Sequence, residues 1–187
     1  MNKAVFSDLD GTLIKTKSGK TFPENIDDWY LDLTVLDSIY NYMFKNLTGT
    51  LCIVTNQGGV EAGYLTKEEF MLKLDNIKKA IHKYFLDKYN YNITIDAGVS
   101  FTNDNRDFMR KPNPGLGYYL ALSNNVFLPQ CIMIGDASGE EGDHSDADYM
   151  FANNCVMNYF DVEKFVLFYS PNKIYRLNES VNDKDQS

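Results

Sequence analysis

The 187-residue chain is poor in thiol, imidazole and ring-constrained backbone, with three cysteines, two histidines, five prolines and one tryptophan. No Cys-x-x-Cys pair occurs, and His82 and His144 stand far from Cys52, Cys131 and Cys155, which excludes a zinc framework. Each cysteine has apolar neighbours, so all three read as buried thiols of a reducing compartment rather than as a disulfide scaffold. Apolar runs stop well short of the roughly 18 residues that a membrane span needs. The opening stretch through Asp8 and Asp10 turns acidic too early for a signal peptide, so the expectation is an intracellular protein with no membrane partner. Positive charge is scarce as well: 18 Lys plus Arg against 26 Asp plus Glu leave a net charge of −8. Such a chain cannot coat nucleic acid by bulk electrostatics, and any contact requires a local basic patch or a small footprint such as a strand end. Gly19-Lys20-Thr21 imitates the end of a P-loop, yet Ile14 stands where that motif needs glycine, so no kinase module is expected.

What the chain does have is the balance of an ordinary globular protein, 44% hydrophobic and 24% charged. Short apolar runs alternate with amphipathic stretches. Ala4–Phe6, Leu51–Val54, Ile93–Phe101, Ile132–Ile134 and Cys155–Met157 read as strands. Between them, helical spacing runs from Trp29 to Phe44. A capping box at Thr66–Glu69 opens a long helix through Phe70, Leu74, Ile77, Ile81 and Phe85. Asn113-Pro114 signals a helix start running through Leu122, and a short helix falls near Asp146–Phe151. Strands alternating with helices predict an α/β, Rossmann-like three-layer sandwich around a central parallel sheet. One domain is expected over residues 1–170, followed by a polar tail at 171–187.

In such folds the ligand sits beyond the carboxyl ends of the strands. Asp8-Leu9-Asp10-Gly11-Thr12 follows the first strand and Thr55-Asn56-Gln57 the second. Arg106, Arg110 and Lys111 follow the third, and Asp136, with Glu140, Glu141 and Asp143 close behind, follows the fourth. Carboxylates gathered on one rim repel one another unless a cation sits among them. Oxygen ligands from one or two carboxylates, with the remaining positions left to water and phosphate, suit Mg²⁺. Lys111 offers a point charge and Thr55 a hydroxyl, both suited to a phosphate group. His144 reads as a satisfied loop residue.

These four clusters resemble the four motifs of the haloacid dehalogenase superfamily of phosphohydrolases, over Lys3 to Met157. The resemblance implies that Asp8 is a nucleophile forming a phospho-aspartyl intermediate and that Asp10 protonates the leaving alkoxide and then deprotonates water. It implies Mg²⁺ held by Asp8, the Asp10 backbone carbonyl and Asp136. Thr55 and Lys111 would hold phosphate oxygens, and Asp143, or else Glu140, would be the second acid of the fourth motif. Only one helix fits between Leu13 and Leu51 and one between Gly63 and Asn92, so the site is expected to be capless or minimally capped, open to a bulky substrate.

One branch of that superfamily fits in more detail. Lys15-Thr16-Lys17-Ser18-Gly19-Lys20-Thr21-Phe22-Pro23 followed by Asp27-Asp28-Trp29 is similar to the phosphatase domain of the polynucleotide kinase 3′-phosphatase family. So are Thr55-Asn56-Gln57-Gly58-Gly59-Val60, Arg110-Lys111-Pro112, and Gly135-Asp136-Ala137-Ser138-Gly139 with Asp143 and Ala147-Asp148 after it. The resemblance implies a Mg²⁺-dependent phosphatase of DNA 3′ ends serving repair, with a separate polynucleotide kinase or ligase as partner. Asn56, Gln57, Arg110, Lys15, Lys17 and Lys20 would contact the substrate. The other reading is a small-molecule phosphatase of the histidinol-phosphate or sugar-bisphosphate type. Its common cysteine-rich zinc loop is absent here.

Overall fold

The computed structural model describes residues 2–20, 23, 25–143 and 145–171. Five parallel strands form the sheet in the order β5-β4-β1-β6-β7: β1 (Val5–Ser7), β4 (Thr50–Asn56), β5 (Thr94–Ser100), β6 (Ile132–Gly135) and β7 (Asn158–Asp161). The order reverses around β1, which places the carboxyl end of β1 at the centre of the rim. All of β1 and β6 and the five central residues of β4 are buried, as a sheet covered on both faces requires, and successive side chains turn to opposite cores. Val5, Leu51, Ile53, Ile132 and Ile134 face one core, and Phe6, Cys52, Val54 and Met133 face the other.

Helices α1 (Leu33–Asn46), α3 (Lys67–Tyr89) and α6 (Val162–Tyr169) cover the first face through Leu36, Ile39, Met43, Phe70, Ile77, Ile81, Phe85 and Phe165. Helices α4 (Gly115–Ser123) and α5 (Ala147–Asn154) cover the second through Leu116, Leu120, Phe151 and Ala152, and the one-turn α2 (Gly58–Glu61) follows β4. The expected three-layer sandwich is present. The Thr66–Glu69 capping box is formed, with the Glu69 amide 3.1 Å from Thr66 Oγ1 and the Thr66 amide 2.7 Å from Glu69 Oε2. All three cysteines are buried free thiols, and burial pushes the Cys155 thiol up to about 12. Among the described residues no helix is long and apolar enough to cross a membrane.

Four local readings differ from the structure. The last strand is β7 at Asn158–Asp161, not Cys155–Met157; Cys155 caps α5 and Val156 turns the chain in the left-handed region at φ 58°. The first helix begins at Leu33 rather than Trp29. Asp32 caps it by accepting from the Thr34 and Val35 amides, while Tyr30–Leu31 (β3) pairs antiparallel with Ile14–Lys15 (β2). Asn113 does not cap α4; its amide donates to the carbonyls of Asn105 and Asp107, bracing the loop before the helix. Helix α6 is absent from the expected elements; Asp161, the last residue of β7, caps it by accepting from the Glu163 and Lys164 amides, so strand and helix meet without a loop. His144, Thr21, Phe22 and residues 172–187 of the polar tail lie outside the described residues.

Candidate active site

Asp8 is the first residue beyond β1, its amide donating to Ile134 O at 2.9 Å and so locking it beside β6. The chain then turns at Gly11, whose φ of +85° favours glycine; a Cβ there would fall 2.0 Å from Asp136 Oδ2. That close approach brings the first and fourth motifs together. Asp8, Asp136 and Asp148 each present a carboxylate oxygen within 4.8 Å of the others, Asp8 and Asp148 being buried. Lys111, only 4% exposed, closes the cluster: its Nζ lies 2.6 Å from Asp8 Oδ1 and 2.7 Å from Asp148 Oδ1.

Burial raises Asp8 well above the usual carboxylate range; Lys111 opposes this, and the charges of Asp148 and Asp136 add to it. Burial alone would lower Lys111, but Asp148 and then Asp8 hold its ammonium well above the ordinary lysine value. One ammonium thus stands among three carboxylates. The surplus negative charge and an all-oxygen donor set fit a hard divalent cation at Asp8, Asp136 and Asp148.

A second group of contacts organises Asp10. Gln57 Nε2 donates to Asp10 Oδ2 and to Thr55 Oγ1, both at 2.7 Å, tying the first motif to the second. The other Asp10 oxygen faces Lys73 Nζ at 3.5 Å, an ion pair from α3. Asn56 does different work. Its amide donates to Lys111 O at 2.9 Å and accepts from the Lys111 amide at 3.0 Å, so it holds the backbone of the third motif.

The remaining expected residues are placed as follows. Arg110 Nη1 donates to Thr102 O at 2.7 Å and braces its own loop. Lys15 pairs with Asp32 at 3.2 Å, and Lys17 donates to Asp27 O at 2.8 Å, on the loop that leaves β2. Thr16 Oγ1 donates to Lys20 O at 2.6 Å across that loop. Asp143 is not in the cluster. It is exposed and closes its own turn, accepting from the Ser138 amide at 2.8 Å and from the Ser138 hydroxyl at 2.5 Å, bonds that lower its pKa. Glu140 pairs with Lys164.

Asp148 stands where Asp143 was expected. It reaches inward from the first turn of α5 and accepts from the Ala137 amide at 3.3 Å. It packs over Gly135, where a Cβ would meet its Oδ2 at 2.2 Å. Asp148 and Lys73 share a signal legible in sequence. Each is a charge on the apolar stripe of its helix, Asp148 with Phe151 and Ala152, Lys73 with Phe70, Leu74 and Ile77.

The family model described as "Polynucleotide kinase 3 phosphatase" matches residues 3–166. The chain belongs to that family. It is 32% identical over 169 residues to an uncharacterized 20.8 kDa protein of Autographa californica nuclear polyhedrosis virus, covering 85% of this chain and 82% of the viral one. A bifunctional polynucleotide phosphatase/kinase of Schizosaccharomyces pombe is 29% identical over 171 residues; the match covers 90% of this chain and 38% of the yeast protein. A D-glycero-beta-D-manno-heptose-1,7-bisphosphate 7-phosphatase of Helicobacter pylori is 27% identical over 145 residues, 74% of this chain and 75% of the relative. The fold matches that of the D,D-heptose 1,7-bisphosphate phosphatase of B. bronchiseptica, solved with magnesium and phosphate. Its TM-score is 0.59 at 21% identity, over 84% of this chain and 78% of that one. Membership of that family makes the chain a phosphatase.

Proposed function

We propose that this phosphatase removes the 3′-phosphate from DNA strand ends in a metal-dependent reaction through a phospho-aspartyl intermediate. The observation that carries the chemistry is the buried Asp8, with Lys111 at 2.6 Å and Asp136 and Asp148 beside it, opening at the centre of the sheet rim. A phosphate dianion can approach a carboxylate nucleophile only where positive charge compensates both. Lys111 supplies one such charge; a Mg²⁺ ion held by Asp8, Asp136 and Asp148, with the Asp10 carbonyl as the expected backbone ligand, supplies charge neutralisation when bound.

In the first half-reaction an Asp8 oxygen bonds to phosphorus, the ester P–O bond breaks, and the Asp10 carboxyl gives its proton to the departing 3′-alkoxide. In the second, ionised Asp10 takes a proton from water as the water oxygen bonds to phosphorus. The acyl-phosphate P–O bond then breaks, which frees inorganic phosphate and restores the Asp8 carboxylate. Thr55 and Lys111 hold the phosphoryl oxygens throughout. Gln57, bridging Thr55 and Asp10, keeps the phosphate-holding and proton-transferring groups in one frame.

The strand-end substrate is supported by the family match and by the basic loop. Lys17 and Lys20 place positive charge just past the nucleophile on a chain of net charge −8, with Lys15 paired to Asp32 at the base of the loop, which suits gripping a few backbone phosphates. A sugar-bisphosphate substrate is the second reading, favoured by the Helicobacter pylori relative, which matches three quarters of each chain. Phosphate release from matched oligonucleotides phosphorylated at the 3′ or 5′ end, with a heptose bisphosphate alongside, separates the two. Release from the 3′ end alone, with Mg²⁺ and not with EDTA, is expected. Turnover confined to the sugar ester would overturn the substrate while leaving the chemistry.

A further inference from the structure

Lys73 has no role in the mechanism above, yet it is a lysine of 4% exposure on the buried stripe of α3, between Phe70, Leu74 and Ile77. Taking an ammonium out of water costs several kcal/mol, and methionine or leucine would fill the same stripe without that cost. Packing therefore does not explain it. Among the described residues, the one carboxylate within ion-pair reach of its Nζ is Asp10, at 3.5 Å. Asp10 itself is 43% exposed at its side chain, so water alone would leave the carboxyl group free to turn. Instead each of its oxygens has its own donor: Oδ2 takes Gln57 Nε2 at 2.7 Å, and Oδ1 faces Lys73. Gln57 comes from the loop after β4, whereas Lys73 comes from a 23-residue helix packed on the sheet, the more rigid support.

We infer that Lys73 is a positioning residue: it fixes the Asp10 carboxyl group so that its proton is delivered to the leaving-group oxygen. The inference rests on Asp10 being the proton donor, and its signature follows from that role. An alkoxide leaving group needs the proton, whereas p-nitrophenolate leaves without it, so a misplaced Asp10 harms the first kind of ester more. The value of kcat/KM covers the steps through leaving-group departure and is the quantity to compare.

The test measures kcat/KM of wild type, Lys73→Met, Lys73→Arg, Asp10→Asn and the Lys73→Met/Asp10→Asn double variant. The substrates are p-nitrophenyl phosphate and whichever alkyl phosphate the wild type turns over, the 3′-phosphorylated oligonucleotide or the heptose bisphosphate. Lys73→Met is expected to lose at least about tenfold on the alkyl ester and less than about threefold on the aryl ester, a fraction of what a general acid contributes. Lys73→Arg recovers part of the loss, and the double variant is no slower than Asp10→Asn alone. Thermal denaturation serves as the fold control, with Lys73→Gln as a second variant should the methionine fail to fold. Equal losses on both esters, or a double variant showing the product of the single losses, would overturn the inference. A wild type active only on the sugar ester would overturn the DNA substrate and leave the Lys73 test standing. Should Asp10→Asn show no contrast between the esters, the proton-donor assignment and the inference fall together.

Discussion

Replacing Asp148 by asparagine keeps the shape of the side chain and removes its charge from a site that is 2% exposed. The variant weakens the 2.7 Å pair with Lys111 while Lys111 retains Asp8 at 2.6 Å, so no ammonium is left without a carboxylate. A hydrogen bond to a charged group contributes about 1.5–3 kcal/mol. A domain of this size shifts by roughly 2–4 °C in Tm for each kcal/mol, so the expected drop is about 3–12 °C. Activity should fall further than stability implies, because the same side chain belongs to the carboxylate cluster; the loss should reach or exceed the about 10–100-fold usual for residues that only support such ligands. Asp143→Asn is the matched control. Asp143 is exposed and bonded to its own turn, so a change within about 0.5 kcal/mol and near-normal turnover are expected. Differential scanning fluorimetry and phosphate release on both variants decide the matter. Wild-type behaviour of Asp148→Asn together with a crippled Asp143→Asn would refute the assignment of Asp148 as the inner acid of the fourth motif.

Burial raises the Asp8 pKa in the folded state, so its contribution to stability is complete below the ordinary carboxylate pKa and is lost as pH rises through the raised one. In EDTA, the Tm of wild type should therefore decline over that window relative to Asp8→Asn, and parallel Tm–pH curves would contradict it. Asn56→Ala removes both bonds to the Lys111 backbone and should cost about 1–3 kcal/mol, with a raised KM for the phosphate ester; a wild-type Tm and KM would count against it. Lys17→Glu combined with Lys20→Glu should impair release from a 3′-phosphorylated oligonucleotide far more than from p-nitrophenyl phosphate, since the aryl ester has no flanking phosphates. Equal losses would show that the loop does not touch nucleic acid.

The inner strands β1, β4 and β6 were legible because they are short buried runs followed at once by polar residues, and that punctuation marked the rim; β7, only half-buried, carries no such run and was placed too early at Cys155–Met157. Asp8, Thr55, Lys111 and Asp136 could be found the same way, since all lie at a strand end or in the loop that follows one. Asp148 and Lys73 could not, because each sits inside a helix where the pattern calls for an apolar residue. The rule that locates sites at strand ends says nothing about charges arriving from helices. Asp143 drew attention by standing near Asp136 in sequence, but a turn that closes on Ser138 directs its carboxylate away. Asn56 was expected at the substrate and instead holds the third motif, a contact 55 residues apart that local pattern does not reveal.

The most direct test is acid-quench trapping of the covalent intermediate from an oligonucleotide radiolabelled in its 3′-phosphate. Protein-bound label is expected with Mg²⁺, and should be lost with EDTA and in Asp8→Asn. It should not be competed by an unlabelled 5′-phosphorylated strand. Label that persists in Asp8→Asn, or that forms only from a sugar bisphosphate, would contradict an aspartyl phosphatase of DNA 3′ ends.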